Sequence, residues 1–214
     1  MSVLCYYYST FLQPMQENVL AGKVGLIMKE KKKWPVKTLC MIGLMAALCF
    51  VSNYIQIPIP TPMGNTRVHF GNVFCLLSGY LLGGVGGGLA AGLGNFLYDL
   101  TDPRFIASAP FTFLFKFMMA YVCAVLAHSF GGHARRIGQN IAAGAAGALT
   151  YVVLYLGKNF VEYRFLQGMA LEAVWVDVMA KAPVSLFNAL VAVAIAVPLT
   201  CALQKALKAS GLQV

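Results

Sequence analysis

The polar residues that could do chemistry fall at helical spacing inside long apolar runs. Asn95, Tyr98 and Asp99 are spaced i, i+3, i+4 and so share one helix face. Thr112 and Lys116 lie one turn apart, and Tyr151, Tyr155, Lys158, Asn159 and Glu162 form a second stripe. Ser185 and Asn188 share a face, with Asp177 and Lys181 just before them. Ionisable groups among apolar residues are costly to bury, so they are read first as functional or paired groups. Asn, Asp and Lys beside Tyr suit a cup in which rings stack a heteroaromatic solute and polar groups fix its edge. Lys116, set in the apolar run Phe111–Tyr121, is the sharpest of them, because a buried ammonium needs an acceptor from protein or ligand.

Catalysis finds no such convergence. The histidines are His69, His128 and His133, and none forms HExxH; no GxSxG elbow occurs, and Gly157-Lys158 lacks the loop of a P-loop. The six cysteines form no CxxC pair and read as packing residues. No enzyme activity, metal or cofactor is expected.

Composition sets the solvent. Of 214 residues, 59% are hydrophobic and 11% charged, and the mean hydropathy is +0.73. Soluble domains carry roughly 25% charged residues, so an all-α integral membrane protein is expected. The net charge of +9 sits in short basic clusters between apolar runs, which set topology rather than bind nucleic acid.

Six spans follow. The first covers about Lys37 to Ile57 and is stopped by Pro58, Pro60 and Pro62, with a polar loop Thr61 to His69 after it. The glycine run Gly83–Gly88 divides the next apolar stretch into helices of about Gly71–Leu82 and Gly87–Leu100, a single tilted helix being the alternative. The fourth is about Pro110–Ser129 and the fifth about Gln139–Phe160. Val161–Lys181 is mixed, with an interfacial stretch near Trp175, and the sixth span is about Pro183–Ala206, kinked at Pro198. Residues 1–36 form a cytoplasmic tail, of which 1–27 suggests a mis-assigned start or disorder; 37–208 form the membrane domain and 209–214 a second tail. With the N-terminus inside, one side collects ten basic residues against two acidic, and the other six against five. This asymmetry puts both termini in the cytoplasm of a cell (plasma) membrane, multi-pass protein. Gly43 and Ala47, with Ala46 beside them, give the first span a small-residue surface for close helix approach.

Three stretches carry a resemblance: Ile57-Pro58-Ile59-Pro60-Thr61, Val68-His69-Phe70-Gly71-Asn72-Val73, and Leu81-Leu82-Gly83-Gly84-Val85-Gly86-Gly87-Gly88-Leu89-Ala90. With Asp99-Leu100-Thr101 and Ser108-Ala109-Pro110-Phe111-Thr112-Phe113-Leu114-Phe115-Lys116-Phe117, they make the chain similar to the substrate-binding S components of energy-coupling factor (ECF) transporters. It most resembles the hydroxymethylpyrimidine or pyridoxine subgroup of the riboflavin-type family, over about Lys37 to Lys208. The resemblance implies a six-helix vitamin-capture subunit that assembles with a transmembrane coupling subunit and two cytoplasmic ATPases. Gly43, Ala46 and Ala47 would dock to the coupling subunit. Asn65, Thr66, Arg67 and His69 would form part of a lid. Phe111 departs from the lysine common at the position compared with it. The expected binding set is Arg67, His69, Asn72, Asn95, Asp99, Thr112, Lys116, Tyr155, Asn159, Asp177 and Asn188. A stand-alone ion-coupled carrier is the competing reading, although no duplicated halves support it.

Overall fold

The structure, a computed structural model, describes residues 34–62, 64–129 and 137–209. Val36 onward forms one compact unit. The expected tail up to residue 33, the Arg135-Arg136 pair and the residues after 209 lie outside the described residues.

Among the described residues the unit has six α-helices and one hairpin: α1 Val36–Ser52, β1 Gln56–Thr61, β2 Gly64–His69, α2 Gly71–Leu82, α3 Gly84–Thr101, α4 Ala109–His128, α5 Ile137–Val161 and α6 Leu171–Ala209. A short 3-10 turn, Ile106–Ser108, leads into α4, and a π-helical turn, Glu162–Leu166, closes α5. Among the described residues three segments are long and apolar enough to cross a membrane: Ile106–His128, Ile137–Leu166 and Leu171–Ala209. The helices Val36–Ser52 and Gly71–Leu82 are apolar but shorter. At about 1.5 Å per residue, the 12 residues of α2 rise only about 18 Å, well short of a hydrocarbon core of about 30 Å. Accordingly α2 sits in the middle, packed on α1, α3, α4 and α6, and nine of its residues are buried.

The expected reversal in the glycine run takes place, but one residue makes it. Gly83, at φ 74°, alone separates α2 from α3. That left-handed conformation is open to glycine at little cost. The following glycines belong to α3 and serve packing. A Cβ on Gly87 would stand 2.6 Å from the Ser78 carbonyl oxygen, so the two helix backbones meet there.

Two expectations need correction. The segment read as the end of the first span and a polar loop is an antiparallel hairpin, with Gln56 opposite His69 and Thr61 opposite Gly64. Its strand β1 contains Pro58 and Pro60, which supply no N–H, so the pairs Pro58–Arg67 and Pro60–Asn65 can only be non-hydrogen-bonded ones. The second correction concerns the last helix, which starts at Leu171 rather than at Pro183 and runs straight through that proline. Proline in a membrane helix is tolerated where neighbouring elements hold the chain, and α6 here packs on α5, α2 and the hairpin.

The packing argument makes a direct prediction. Gly87→Ala should lower unfolding stability in detergent by about 1–3 kcal/mol, as overpacking typically does. Gly43→Ala should leave it within about 0.5 kcal/mol, because a Cβ there meets nothing within 4 Å. Equal thermal shifts for the two variants would contradict the packing assignment.

Candidate functional site

The chain alternates direction, so one end of the bundle gathers the C-terminal ends of α1, α3 and α5, the N-terminal ends of α2, α4 and α6, and the hairpin. At that end lies a cavity of about 390 Å³. Strand β2 contributes Thr66, Arg67 and His69; α3 contributes Asp99; α4 contributes Phe111, Thr112 and Phe115. Tyr151, Tyr155, Lys158 and Asn159 enter from α5, and Lys181, Ser185 and Asn188 from α6. Seven of the expected binding residues therefore share one cavity wall: Arg67, His69, Asp99, Thr112, Tyr155, Asn159 and Asn188.

The other four lie outside the lining. Asn95 sits in the core, where its amide joins Asn53 (3.0 Å), the Ala91 carbonyl (2.8 Å) and Cys75 Sγ (3.1 Å), tying α1, α2 and α3 together. Lys116 is fully buried; its ammonium donates to Asn72 Oδ1 and stands 3.7 Å from the centre of the Tyr151 ring. Lys116 and Asn72 thus back the ring that forms the wall. Asp177, also fully buried, pairs with Lys181 at 2.7 Å along the first turns of α6. On α1, Gly43 and Ala47 are exposed, while Ala46 is half-buried with its carbonyl against Gly94.

Charge around the cavity is self-compensated. Arg67 donates to Asp99 at 2.7 Å and its guanidinium lies over the rings of Phe105 (4.2 Å) and Tyr98 (5.0 Å). Arg104 holds Asp102 at 2.7 Å, Lys158 pairs with Glu162 and donates to Ser108 Oγ at 3.1 Å, and Lys181 also reaches Tyr163 OH at 3.0 Å. Each basic lining residue thus has a carboxylate partner. Hydrogen bonding from Arg104 holds the Asp102 carboxyl below its ordinary value. One buried donor of the cavity's basic residues is left over: Arg67 Nη1 has no hydrogen-bond partner among the described residues. A buried, unsatisfied donor costs on the order of 1–3 kcal/mol, and more when it is charged.

Sequence reasoning missed Phe105, Ala107 and Ser108, which lie in the connection before α4, and Tyr163 in the π turn. Tyr163 continues the four-residue step of Tyr151, Tyr155 and Asn159, so its signal was present; it was lost because residues 161–181 read as mixed.

His69 has a structural task as well. Its Nδ1 accepts the Gly71 N–H at 3.1 Å at the start of α2. Burial, then the nearby Lys116 and Arg67 charges, hold its pKa well below the usual 6.5. The unfolded chain therefore binds the proton more readily than the folded one. Stability from neutral His69 should be fully present above about pH 6.5 and lost as pH falls through the lower folded value. Melting scans in detergent should show this acid-side loss, and His69→Gln, which keeps an acceptor, should flatten it. An unchanged acid limb in that variant would remove His69 from the account.

With the geometry in view, comparison with known proteins gives the class. Residues 33–205 match the family described as ECF-type riboflavin transporter, S component, and the chain belongs to that family. It is a membrane-embedded transporter component of the substrate-binding kind. The solved structure of the S component of a bacterial ECF transporter has the same fold, at a TM-score of 0.60 and 23% identity, over 80% of this chain and 98% of that one. A search of the curated proteins finds no match.

Proposed function

We propose that this protein captures a small, water-soluble, uncharged vitamin or vitamin precursor in the cavity beneath the hairpin. A pyridoxine- or hydroxymethylpyrimidine-like ring comes first and riboflavin second. The charge pattern of the wall carries this reading: it presents the rings of Phe105, Phe111, Tyr151 and Tyr155 together with cations already neutralised by carboxylates. An anionic solute would have to displace a buried carboxylate or enter without a counter-charge, and either is costly. An uncharged ring needs only stacking and one acceptor for Arg67 Nη1. The volume suits a small ligand, at the lower end of the roughly 300–1,000 Å³ of small-molecule sites.

On this reading the cavity end faces outward, and both termini face a cytoplasm where Lys37, Lys205 and Lys208 cluster at the opposite end. The setting is the plasma membrane. Inward delivery falls to a transmembrane coupling subunit and two ATPases, with Gly43 and Ala47 on α1 as the docking face; both are exposed and small enough for close helix contact.

Purified protein in detergent, followed through the half-exposed Trp175 and by thermal shift, should bind pyridoxine, hydroxymethylpyrimidine or riboflavin saturably without any ATPase. It should discriminate by at least about tenfold between pyridoxine and its carboxylate analogue 4-pyridoxate. Asp99→Ala should weaken binding by about tenfold or more, since it strands the buried Arg67 charge. Binding of nicotinate or pantothenate in place of the uncharged rings would overturn the assignment.

A further inference from the structure

A hairpin of two strands leaves the outer edge of each strand unpaired. Because Pro58 and Pro60 force their pairs to be non-hydrogen-bonded, the Arg67 carbonyl and the His69 N–H both point away from β1. They are the outward groups on either side of Val68. The structure meets both with one side chain. Asn188 Nδ2 donates to the Arg67 carbonyl at 2.7 Å, and the His69 N–H donates to Asn188 Oδ1 at 3.2 Å. The amide thus takes the two bonds that a neighbouring strand would make. Asn188 lies on α6 and is nearly buried, with 7% exposure.

We propose that Asn188 is a positioning residue that acts as a one-residue third strand, latching the hairpin over the cavity. Its role as latch differs from that of a ligand contact. It sets the frame of Arg67 and His69 through their backbone, and so fixes where the Arg67 guanidinium meets Asp99 and where its spare Nη1 points. On the capture reading, on which the functional meaning of the latch rests, the hairpin must move to admit a solute, since β2 supplies one wall. The bonds that must break include the two to Asn188, the Arg67–Asp99 pair, the 2.5 Å bond from Gln56 Nε2 to the Tyr98 hydroxyl and the 3.5 Å bond from the Tyr155 hydroxyl to Thr66 Oγ1. Asn188 joins the hairpin backbone to α6; the other three join side chains to α3 and α5. Loosening it should free β2 from α6 while leaving the helices in place.

Only Asn or Gln presents a donor and an acceptor side by side, so the chemistry of substitution is graded. Asn188→Asp keeps an acceptor for the His69 N–H and loses the donor to the Arg67 carbonyl. Asn188→Leu keeps the branched shape and loses both.

The test is hydrogen–deuterium exchange on the ligand-free protein in detergent, read at residues 64–70 and, as reference, across α2 and α5. Loss of both hydrogen bonds should speed exchange of the β2 segment by about tenfold or more in Asn188→Leu, with a smaller rise in Asn188→Asp and unchanged helices. Ser185→Ala, which alters the same cavity wall three residues earlier on α6 and keeps Asn188, should leave the hairpin at the wild-type rate. Wild-type exchange at 64–70 in a folded Asn188→Leu would overturn the proposal. If that variant does not fold, wild-type exchange in Asn188→Asp overturns it equally. The measurement uses no vitamin, so a failed latch and a failed capture reading are told apart: loss of ligand binding with β2 exchange unchanged counts against the latch, and faster β2 exchange supports it whatever the ligand proves to be.

Discussion

The bond between Arg67 and Asp99 is the constraint around which the site is arranged. Both groups are withdrawn from water, Asp99 almost completely, and removing one partner of such a pair leaves an uncompensated buried charge at a cost of about 3–5 kcal/mol. The pair joins a hairpin of only two strands, which would be marginal alone, to the end of α3. It also turns the guanidinium face onto Phe105 and Tyr98 and leaves one N–H over. The hairpin's attachment to α3, the rings under the guanidinium and its unmet N–H thus depend on a common contact.

The helices beneath follow from the same economy of charge. Lys116 has no carboxylate within salt-bridge distance among the described residues and instead uses Asn72 and the face of Tyr151. That arrangement fixes a cavity ring from behind. Asp177 and Lys181 sit four residues apart on α6, so their pair forms within one helix. It lets that helix bring an amine to the wall without leaving a bare charge in the bundle. Small residues make the approach possible: α2 and α3 touch through Gly79 and Gly87, and a side chain at either would collide with backbone.

Much of this was legible in the sequence because the helical period is strong. The break at Gly83, the faces carrying Asp99, Tyr155 and Asn159, and the polar end of the bundle all follow from spacing and composition. The hairpin was less legible. Its prolines read equally well as a helix stop, and a two-stranded ribbon has too few residues to show a period of its own. The start of α6 was hidden because Pro183 carries a strong local signal that tertiary packing overrides. Spacing alone puts Asn95 and Asn72 at the ligand, because a polar residue in an apolar run does not reveal whether its partner is a solute or another helix. Asn95 binds Asn53 and Cys75, and Asn72 receives Lys116. That distinction depends on contacts 20 to 44 residues apart in the chain.

A double-mutant cycle on Arg67 and Asp99, read as affinity for whichever uncharged vitamin binds the wild type most tightly, tests the central claim most directly. Arg67→Met and Asp99→Leu should each weaken binding, and the double variant should lose no more than the worse single one, giving a coupling of more than about 1 kcal/mol. Additive losses, or affinity unchanged in all three variants, would mean that the pair does not hold the lid over the ligand.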